Sequence, residues 1–322
     1  MKRNSAMYFI HCLSPVHVGT GQGLGDIDMP IIRERTTEWP YLPGSGIKGV
    51  KRRHYQHLAV NGEGKLYSTE WVNAVFGKSA DEARASEDEM AESIAGALVL
   101  SDGRMLAFPV ASLNGVFAYV TCPLALSRMI RDGKAVGLVM KDPGLDHMET
   151  HFTSNPQSVY VCESSKLWAE PKREVWLDEF KFEAIDDLKS LNEWATWCAE
   201  QLFPENDEQL ERKNWSTRLA VVSDEAFHYF VTMCSEVTPR IRIHAETKTV
   251  IDGALWVEEY IPTEALLYGV AWCDQVYTAN SRLKAEDIIR NLEHDTTLQI
   301  GGNTGVGKGR VRYVMSKEAN NR

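Results

Sequence analysis

The chain has 322 residues, of which 43% are hydrophobic and 25% are charged. This composition is sufficient for a large apolar core, but the longest apolar stretches, such as residues 96–100, are far too short to span a bilayer. The formal net charge of −10 argues against a uniformly basic nucleic-acid-binding protein.

The six cysteines lie far apart, and none of them forms a CxxC pair with another. This spacing disfavours both a zinc site of the usual kind and a disulfide framework. The basic start of the chain is not followed by an apolar core with a small-residue cleavage site, so we expect no signal peptide. Together these features predict a cytoplasmic protein without a membrane partner.

In the first part of the chain, the apolar pattern predicts a buried strand over residues 6–13. A glycine-rich loop follows at residues 19–25, where four glycines in seven residues indicate positive φ angles or a close approach of the backbone to another group. Ser45 is the expected N-cap of a helix that extends through Ile47 to about Val60.

The middle of the chain combines short strands with amphipathic helices. Residues 79–93 are acidic, small and polar, which predicts an exposed insertion, and residues 141–215 form a second, variable insertion. Short strands are expected at 97–100, 105–110 and 116–121, with a helix around 125–130. An apolar stripe at helical spacing predicts a core-packed helix, with members Leu188, Leu191, Ala195, Cys198 and Leu202.

In the last third, Ile241 and Ile243 alternate with polar residues, which predicts a half-buried strand. A hairpin turn is expected at 247–253, and strands are expected at 266–273 and 310–315. The elements alternate irregularly, so the fold class indicated by the pattern is mixed α+β.

Two basic regions interrupt the acidic chain. Residues 1–60 contain eight lysines and arginines against four acids, and residues 299–313 contain three basic residues and no acid. In the first region, Lys48 and Arg52 share one face at the start of the predicted helix, where cations oppose the helix dipole. An external anion bound at this helix start would relieve that cost. Either region alone would also fit an ordinary solvated surface.

The second basic region contains a glycine loop at residues 301–309. Gly302 to Lys308 matches the first seven positions of the nucleotide-binding pattern GxxxxGK[ST]. Gly309 stands where that pattern needs a hydroxyl group for magnesium, so a nucleotide-hydrolysing loop is rejected. The remaining backbone N–H donors suit a phosphate backbone, and a tight β-turn is the plain alternative.

The glycine loops at 19–25 and 301–309, together with the basic start of the predicted helix, resemble the RAMP superfamily of CRISPR proteins. The resemblance narrows to the backbone subunit of the type III-B effector, the Cmr complex, through HCLSPVHVGTG at 11–21, DMPI at 28–31 and LWVEEYIP at 255–262. Further matching segments follow in the same order as in the family, at residues 33–35, 43–49, 75–77, 101–102, 108–113, 118–123 and 299–309.

The resemblance implies a single RAMP domain over residues 1–322, with a ferredoxin-like (RRM-like) palm, inserted fingers and a β-hairpin thumb. Copies of such a subunit stack along a CRISPR guide RNA, and each thumb displaces one base pair of the guide–target duplex. The implied activity is cleavage of the target single-stranded RNA beside each displaced nucleotide, with Mg²⁺ or Mn²⁺. The implied partners are the two RNAs, further copies of the chain, and other Cmr subunits, including the large polymerase-cyclase-like subunit and the small subunit.

The resemblance also assigns residues to these roles. Asp28 is the implied catalytic and metal-binding residue, with His17, Glu258 and Tyr260 as further catalytic candidates. The predicted RNA-binding positions are Lys48, Lys51, Arg52, Arg53, Gly301, Gly302, Gly305, Gly307 and Lys308. Asp26 lies close enough to Asp28 to compete for its role.

The role of Asp28 has a physical rationale of its own. Attack of a 2′-OH on the neighbouring phosphate needs in-line geometry, which an extruded nucleotide can reach and a stacked A-form nucleotide cannot. A carboxylate on a flexible loop can hold a hydrated Mg²⁺ against that phosphate.

Two rival functions remain open: a metal-independent endonuclease that processes guide RNA with His17 as general base, and a guide-RNA scaffold without chemistry. A small-molecule phosphate-binding enzyme is disfavoured because the basic positions are scattered.

Overall fold

The computed structural model describes residues 4–21, 27–61, 67–78, 94–168, 172–273, 275–277 and 283–316. The predicted acidic insertion at 79–93 and the rival carboxylate Asp26 lie outside the described residues. None of the helices in these stretches combines the length and the apolar character needed to cross a bilayer.

Sixteen strands are described in these stretches. They are β1 Ser5–Cys12, β2 Tyr41–Leu42, β3 Gly77–Lys78, β4 Ile94–Ala95, β5 Leu98–Leu100, β6 Gly103–Ser112, β7 Val116–Thr121, β8 Ser158–Val161, β9 Glu174–Leu177, β10 Phe180–Ile185, β11 Leu219–Val221, β12 Glu236–Ile243, β13 Val250–Tyr260, β14 Leu266–Cys273, β15 Asp295–Gln299 and β16 Arg310–Met315. Twelve of them form one sheet with the main order β15-β16-β1-β14-β6-β7-β11-β8-β10-β9, to which β2 and β5 add at β6 and β14.

Eight α-helices are described beside these strands. They are α1 Gly44–Asn61, α2 Thr69–Phe76, α3 Pro123–Ala135, α4 Leu145–Ser154, α5 Lys189–Leu202, α6 Gln209–Arg218, α7 Asp224–Met233 and α8 Ala285–Asn291. Their starts follow local chemistry, because the hydroxyl oxygens of Ser68 and Ser223 accept backbone N–H bonds at the first turns of α2 and α7. Pro123 occupies the first turn of α3, where its missing N–H has no cost.

The centre of the sheet, at β1, is buried on both faces. Side chains of β1 alternate between two cores, with Tyr8 and Ile10 in one and Met7 and Phe9 in the other. Because neither face meets water, the strand lacks a polar alternation, as its sequence indicated. Antiparallel partners flank it, since β1 pairs with β14 on one side and with β16 on the other.

Several sequence-based predictions are confirmed at this level. The strands expected at 266–273 and 310–315 are β14 and β16, and the predicted apolar stripe is the buried face of α5. The helix expected after Ser45 is α1, but it begins at Gly44, so Ser45 lies within its first turn and the predicted N-cap is wrong. Residues 141–215 contribute α4, β8, β9, β10 and α5, and these strands belong to the large sheet.

Strands β12 and β13 form a separate antiparallel hairpin. Glu236 pairs with Tyr260 at its base, and Ile243 pairs with Val250 near its turn, after a register shift. The half-buried strand predicted around Ile241 is wrong in its burial, because Ile241 and Ile243 are 48% and 51% exposed. A two-stranded hairpin that extends from the body has no second layer to cover either face.

Candidate functional site

Four chain segments meet at one end of the central strands. They are the segment after β1, residues 27–31, the base of β13, and the loop between β15 and β16. Val16 bridges to Ile261, and Met29 bridges to Glu258. The β15–β16 loop joins through backbone bonds from the N–H of Gly302 to the carbonyl of His17 and from that of Gly309 to Pro15, both 2.8 Å long.

Asp28 presents an exposed carboxylate at this junction. Its Oδ2 accepts a hydrogen bond from the backbone N–H of Val257 at 2.7 Å. The following residue, Met29, exchanges backbone bonds with β13, donating to the Val257 carbonyl at 3.1 Å and accepting from the Glu259 N–H at 3.0 Å. The edge of β13 therefore fixes one carboxylate oxygen of Asp28 and leaves the side chain open to solvent.

Glu258 is 3% exposed and lies behind this edge. Its carboxylate accepts hydrogen bonds from the Trp256 indole at 2.7 Å, from the Asn303 amide at 3.1 Å and from the Tyr260 hydroxyl. The Arg240 guanidinium lies 3.6 Å away. Burial alone would raise the pKa of this carboxyl, but the Tyr260 and Trp256 hydrogen bonds and the nearby Arg240 outweigh burial and hold the pKa below its ordinary value.

Tyr260 is fully buried beside Glu258. Its hydroxyl donates to Glu258 and accepts from the Asn303 amide at 3.0 Å. Burial and the Glu258 hydrogen bond raise the pKa of Tyr260 to about 12. The Lys308 ammonium lies 4.6 Å from the centre of the Tyr260 ring and also binds Glu236 at 3.1 Å. Lys308, a predicted RNA contact, thus also has two intramolecular partners.

The surroundings of Glu258 and Tyr260 bear on their predicted catalytic roles, which stay predictions. A carboxylate with three donors and a low pKa is a poor proton acceptor, and a phenol with a pKa of about 12 stays neutral at physiological pH. Neither side chain reaches the surface, so neither can touch RNA in this conformation. Both instead support the strand edge that holds Asp28.

His17 is 5% exposed and lies edge-on to the Tyr260 ring, with 5.6 Å between ring centres. Its Nδ1 lies 2.8 Å from the backbone carbonyl of Glu259. Because a carbonyl only accepts, Nδ1 must carry the proton, and the neutral ring has its lone pair on Nε2. Gly19 leaves room for that atom, since a Cβ there would lie 2.8 Å from Nε2. A catalytic role for His17 stays a prediction.

Glu259 points to the opposite side of β13 from Glu258. Its carboxylate is 2.5 Å from the Arg33 guanidinium and accepts the Ile31 N–H at 3.0 Å. It is 4% exposed. The two adjacent glutamates therefore fix different neighbours: Glu258 binds the β15–β16 loop, and Glu259 binds the segment that follows Asp28.

The glycines of the β15–β16 loop differ in how closely other atoms of the protein surround them. A Cβ at Gly301 would lie 2.1 Å from the His17 carbonyl oxygen, and its φ is +87°, so this glycine is required by the packing of the loop. A Cβ at Gly305 or Gly307 would have no heavy atom within 4 Å, and both residues are exposed, as is Gly302. Of the four predicted RNA-binding glycines, these three are placed to approach another molecule.

Asn303 was missed by the sequence reasoning. It adopts a left-handed conformation with φ 59°, and its amide binds both Glu258 and Tyr260. The sequence did contain one indication of this left-handed conformation, an asparagine within a glycine loop, because asparagine adopts it more readily than most other non-glycine residues. Trp256 and Arg240, which also contact Glu258, were not singled out either.

The predicted RNA contacts on α1 differ in their burial. Lys51 is fully buried, with its ammonium 3.7 Å from the centre of the Tyr313 ring. Its Nζ has no hydrogen-bond partner among the described residues. Burial lowers the pKa of Lys51 to about 7. A side chain in this position cannot contact an RNA phosphate.

The start of α1 already has an anion from the chain itself. The Asp102 carboxylate accepts the Gly44 N–H at 2.8 Å and supplies negative charge at this end of the helix, and binding of an external anion there stays a prediction. Lys48 and Arg52 are half-buried, and Arg53 is exposed. These three remain predicted RNA contacts.

The chemistry of the site restricts how a metal ion could bind. The described residues contain no group of three or more His, Cys, Asp or Glu side chains that could hold one. Mg²⁺ commonly binds through one or two carboxylates together with substrate phosphates and water. Asp28 is one exposed carboxylate of this kind, and its role as a metal ligand stays a prediction.

A sequence profile described as the RAMP superfamily matches residues 9–312. The CRISPR system Cmr endoribonuclease Cmr4 of Pyrococcus furiosus is 32% identical over 312 residues, which cover 97% of this chain and 96% of that protein. The chain belongs to the RAMP superfamily and, within it, to the Cmr4 family. A shorter match links it to another RAMP protein, the Cms endoribonuclease Csm3 of Methanothermobacter thermautotrophicus, at 34% identity over 84 residues, or 24% of this chain and 34% of that protein.

Solved structures agree with this membership of the Cmr4 family. The crystal structure of oligomeric Cmr4 from Pyrococcus furiosus matches with a TM-score of 0.67 and 26% identity, over 98% of this chain and 99% of that chain. A chain of the type III-B Cmr-beta complex bound to cognate target RNA matches with a TM-score of 0.67 and 20% identity, over 97% of this chain and 96% of that chain. The latter likeness shows the fold alone.

Proposed function

We propose that this Cmr4-family chain is a guide-RNA-binding filament subunit of a type III-B CRISPR complex and cleaves the paired target RNA at regular intervals. The observation on which this rests is the exposed Asp28 carboxylate, held by the Val257 N–H in a chain that aligns over 97% of its length with an endoribonuclease. A scaffold would have no use for a carboxylate fixed in this way.

The proposed architecture assigns parts of the fold to RNA. The sheet around β1, with α1, is the RRM-like palm, and the β12–β13 hairpin is the thumb that displaces a base pair. Cations along the hairpin, the half-buried Arg240 and the exposed Arg242 among them, support contact with a phosphate backbone. The partners are guide RNA, target RNA, further copies of the chain, and the other Cmr subunits, including the large polymerase-cyclase-like subunit and the small subunit.

In the proposed reaction, the protein acts by positioning and by charge. Asp28 faces the scissile phosphate and is the residue that would hold Mg²⁺ or Mn²⁺, which stabilises developing phosphate charge when bound. The Val257 N–H keeps the Asp28 carboxylate in one orientation. Glu258, Tyr260 and Asn303 keep β13 and the β15–β16 loop in register behind it. An extruded nucleotide supplies the in-line 2′-OH.

The decisive experiment compares Asp28→Ala and Asp28→Asn in a complex reconstituted with guide RNA. Asn keeps an acceptor for the Val257 N–H and removes only the charge. We expect both variants to lose roughly 100-fold or more of the cleavage rate, the scale of removing one transition-state contact, while target capture in a gel shift changes little. Asp26→Ala is the control and should keep most activity.

The alternatives give different results. Full cutting by both Asp28 variants, or cutting that persists in EDTA, favours the metal-independent guide-processing endonuclease that uses His17. Absence of target cutting by the wild-type complex, with guide binding intact, favours the scaffold. If Asp28→Ala alone loses activity and Asp28→Asn keeps it, the carboxylate acts as a hydrogen-bond acceptor, and the proposed charge role is wrong.

A further inference from the structure

Trp256 lies on the base of the hairpin, immediately before the residue that holds Asp28. Its indole N–H donates to the buried carboxylate of Glu258 at 2.7 Å, which fixes the direction of the ring. The side chain is half-buried, and no aromatic ring of the described residues packs against it. Its side-chain N–H is already bonded to Glu258, so the exposed part of the indole has no hydrogen-bond donor.

Arg240 lies directly across the hairpin from Trp256, because the two residues are paired in the antiparallel register. Side chains at paired positions project from the same face of a two-stranded sheet. The Arg240 guanidinium is near Glu258, and its side chain is 34% exposed. A cation and an oriented aromatic ring therefore share one face of the hairpin, one residue away from the N–H that positions Asp28.

We propose that Trp256 is a stacking platform for the target-RNA base displaced beside the scissile phosphate, and that Arg240 contacts the adjoining phosphate. This rests on the proposed function, since it adds a base subsite to the same cleavage site. A displaced base loses its stacking neighbours, and a rigid indole replaces one of them. A ring without a free donor cannot distinguish bases by hydrogen bonds, so the subsite accepts any target sequence.

The ligand is a base of the target and not of the guide. The reacting geometry at Asp28 requires the extruded nucleotide to belong to the strand that is cut. Holding the extruded base fixes the sugar whose 2′-OH must lie in line with the phosphate. Loss of the platform should therefore lower the cleavage rate more than target affinity, because guide pairing supplies most of the binding.

The test uses the assembled complex with 2-aminopurine in the target at a displaced position, in an Asp28→Asn background that keeps the target whole. Three variants separate the functions of the indole. Trp256→Phe keeps an aromatic face and loses the N–H, Trp256→Gln keeps an N–H and loses the face, and Trp256→Ala loses both. We expect quenched 2-aminopurine with the native Trp256 and with Trp256→Phe, and increased emission with Trp256→Gln and Trp256→Ala.

Cleavage is measured with the same Trp256 variants in complexes that keep Asp28. Trp256→Ala and Trp256→Gln should lower the rate roughly 10-fold, the scale of one lost base-stacking contact, whereas Trp256→Phe should lose much less. Trp176→Ala is the matched control, because Trp176 is also a partly exposed tryptophan, 37% exposed, but lies on β9 of the large sheet and not on the hairpin. It should change neither the emission nor the rate.

Several outcomes would overturn the platform. If Trp256→Gln keeps activity and Trp256→Phe loses it, Trp256 acts only by anchoring Glu258. Quenching that follows 2-aminopurine in the guide instead of the target would assign the ring to the other strand. A wild-type complex that never cuts contradicts the proposed function itself. A complex that cuts equally well with Trp256→Ala, with unchanged emission, contradicts only the platform.

Discussion

The base of the β12–β13 hairpin and the helix α1 are both rich in polar side chains, but the two regions use them differently. At the hairpin base, the buried Glu258 carboxylate has three hydrogen-bond donors, and its neighbours hold one exposed carboxylate, Asp28. In α1, the buried Lys51 ammonium lies over the Tyr313 ring and has no hydrogen-bond partner among the described residues, and Lys48 and Arg53 remain nearer to solvent.

The difference shows that the effect of burying a polar group depends on whether the group is hydrogen-bonded. A fully hydrogen-bonded buried group specifies one geometry, which suits the support of a reacting side chain. A buried cation that lacks a hydrogen bond costs stability and is open to titration. The following changes should therefore affect the two regions in distinct ways.

The largest effect is expected in the loop that joins the hairpin base. Gly301→Ala should destabilise the chain by about 2–4 kcal/mol, because the new Cβ meets the His17 carbonyl oxygen and the backbone has a positive φ. Gly305→Ala, in the same loop with open space around it, should change the free energy of unfolding by less than about 0.5 kcal/mol. Urea unfolding of both variants measures the contrast. Equal stability of the two would mean that His17 does not hold this loop.

Tyr260→Phe is expected to have the next largest effect. Removing the hydroxyl takes one donor from Glu258 and one acceptor from Asn303, which should cost roughly 1–3 kcal/mol of stability. Cleavage should fall by no more than about 10-fold, since the buried phenol does not touch RNA, and the pH–rate profile should keep its shape. A folded variant as inactive as Asp28→Ala would restore Tyr260 as a catalytic residue.

In α1, the expected effect is a pH dependence of stability. The pKa of Lys51 is about 7 in the folded chain and about 10.4 in an unfolded one, so the unfolded state binds more protons between these values. Stability from this residue therefore rises with pH across that window, by up to about 1.4 kcal/mol per pH unit. Lys51→Met should remove that rise, as measured by urea unfolding at pH 7 and 8.5. Parallel curves for wild type and variant would contradict the low pKa.

The smallest effects are expected for the cations nearer the surface of α1. Lys48→Ala, Arg52→Ala and Arg53→Ala should each reduce the slope of log affinity against log salt by about one phosphate contact, without sequence preference. Lys51→Met is the matched control and should leave the slope unchanged, because its ammonium is buried. An unchanged slope in the three test variants would remove α1 from the RNA path.

The fold was predictable where a single periodicity acts alone. The buried strands β14 and β16 and the apolar face of α5 followed from local patterns. The exposure of Ile241 did not follow from its local pattern. An alternating pattern predicts a strand, but it cannot show whether a second layer of the fold covers that strand.

The site was predictable only in part for a related reason. The role of Asp28 could be assigned only from the resemblance and stays a prediction, and its contact with the Val257 N–H could not be predicted from the sequence. The burial of Lys51 depends on how α1 packs against Tyr313, and the capping of α1 depends on Asp102, 58 positions away from Gly44. Sequence-local charge patterns contain no information about such distant contacts.

The β12–β13 hairpin also has a consequence for how the subunit must be produced. Over its outer half, the structure describes no strand beside either of its two edges, and Ile241, Val250 and Leu255 are about half exposed or more. Open strand edges with aliphatic side chains are templates for edge-to-edge aggregation. A cell that makes this chain in excess over its guide RNA and companion subunits would accumulate insoluble protein, so balanced synthesis is a requirement built into the hairpin.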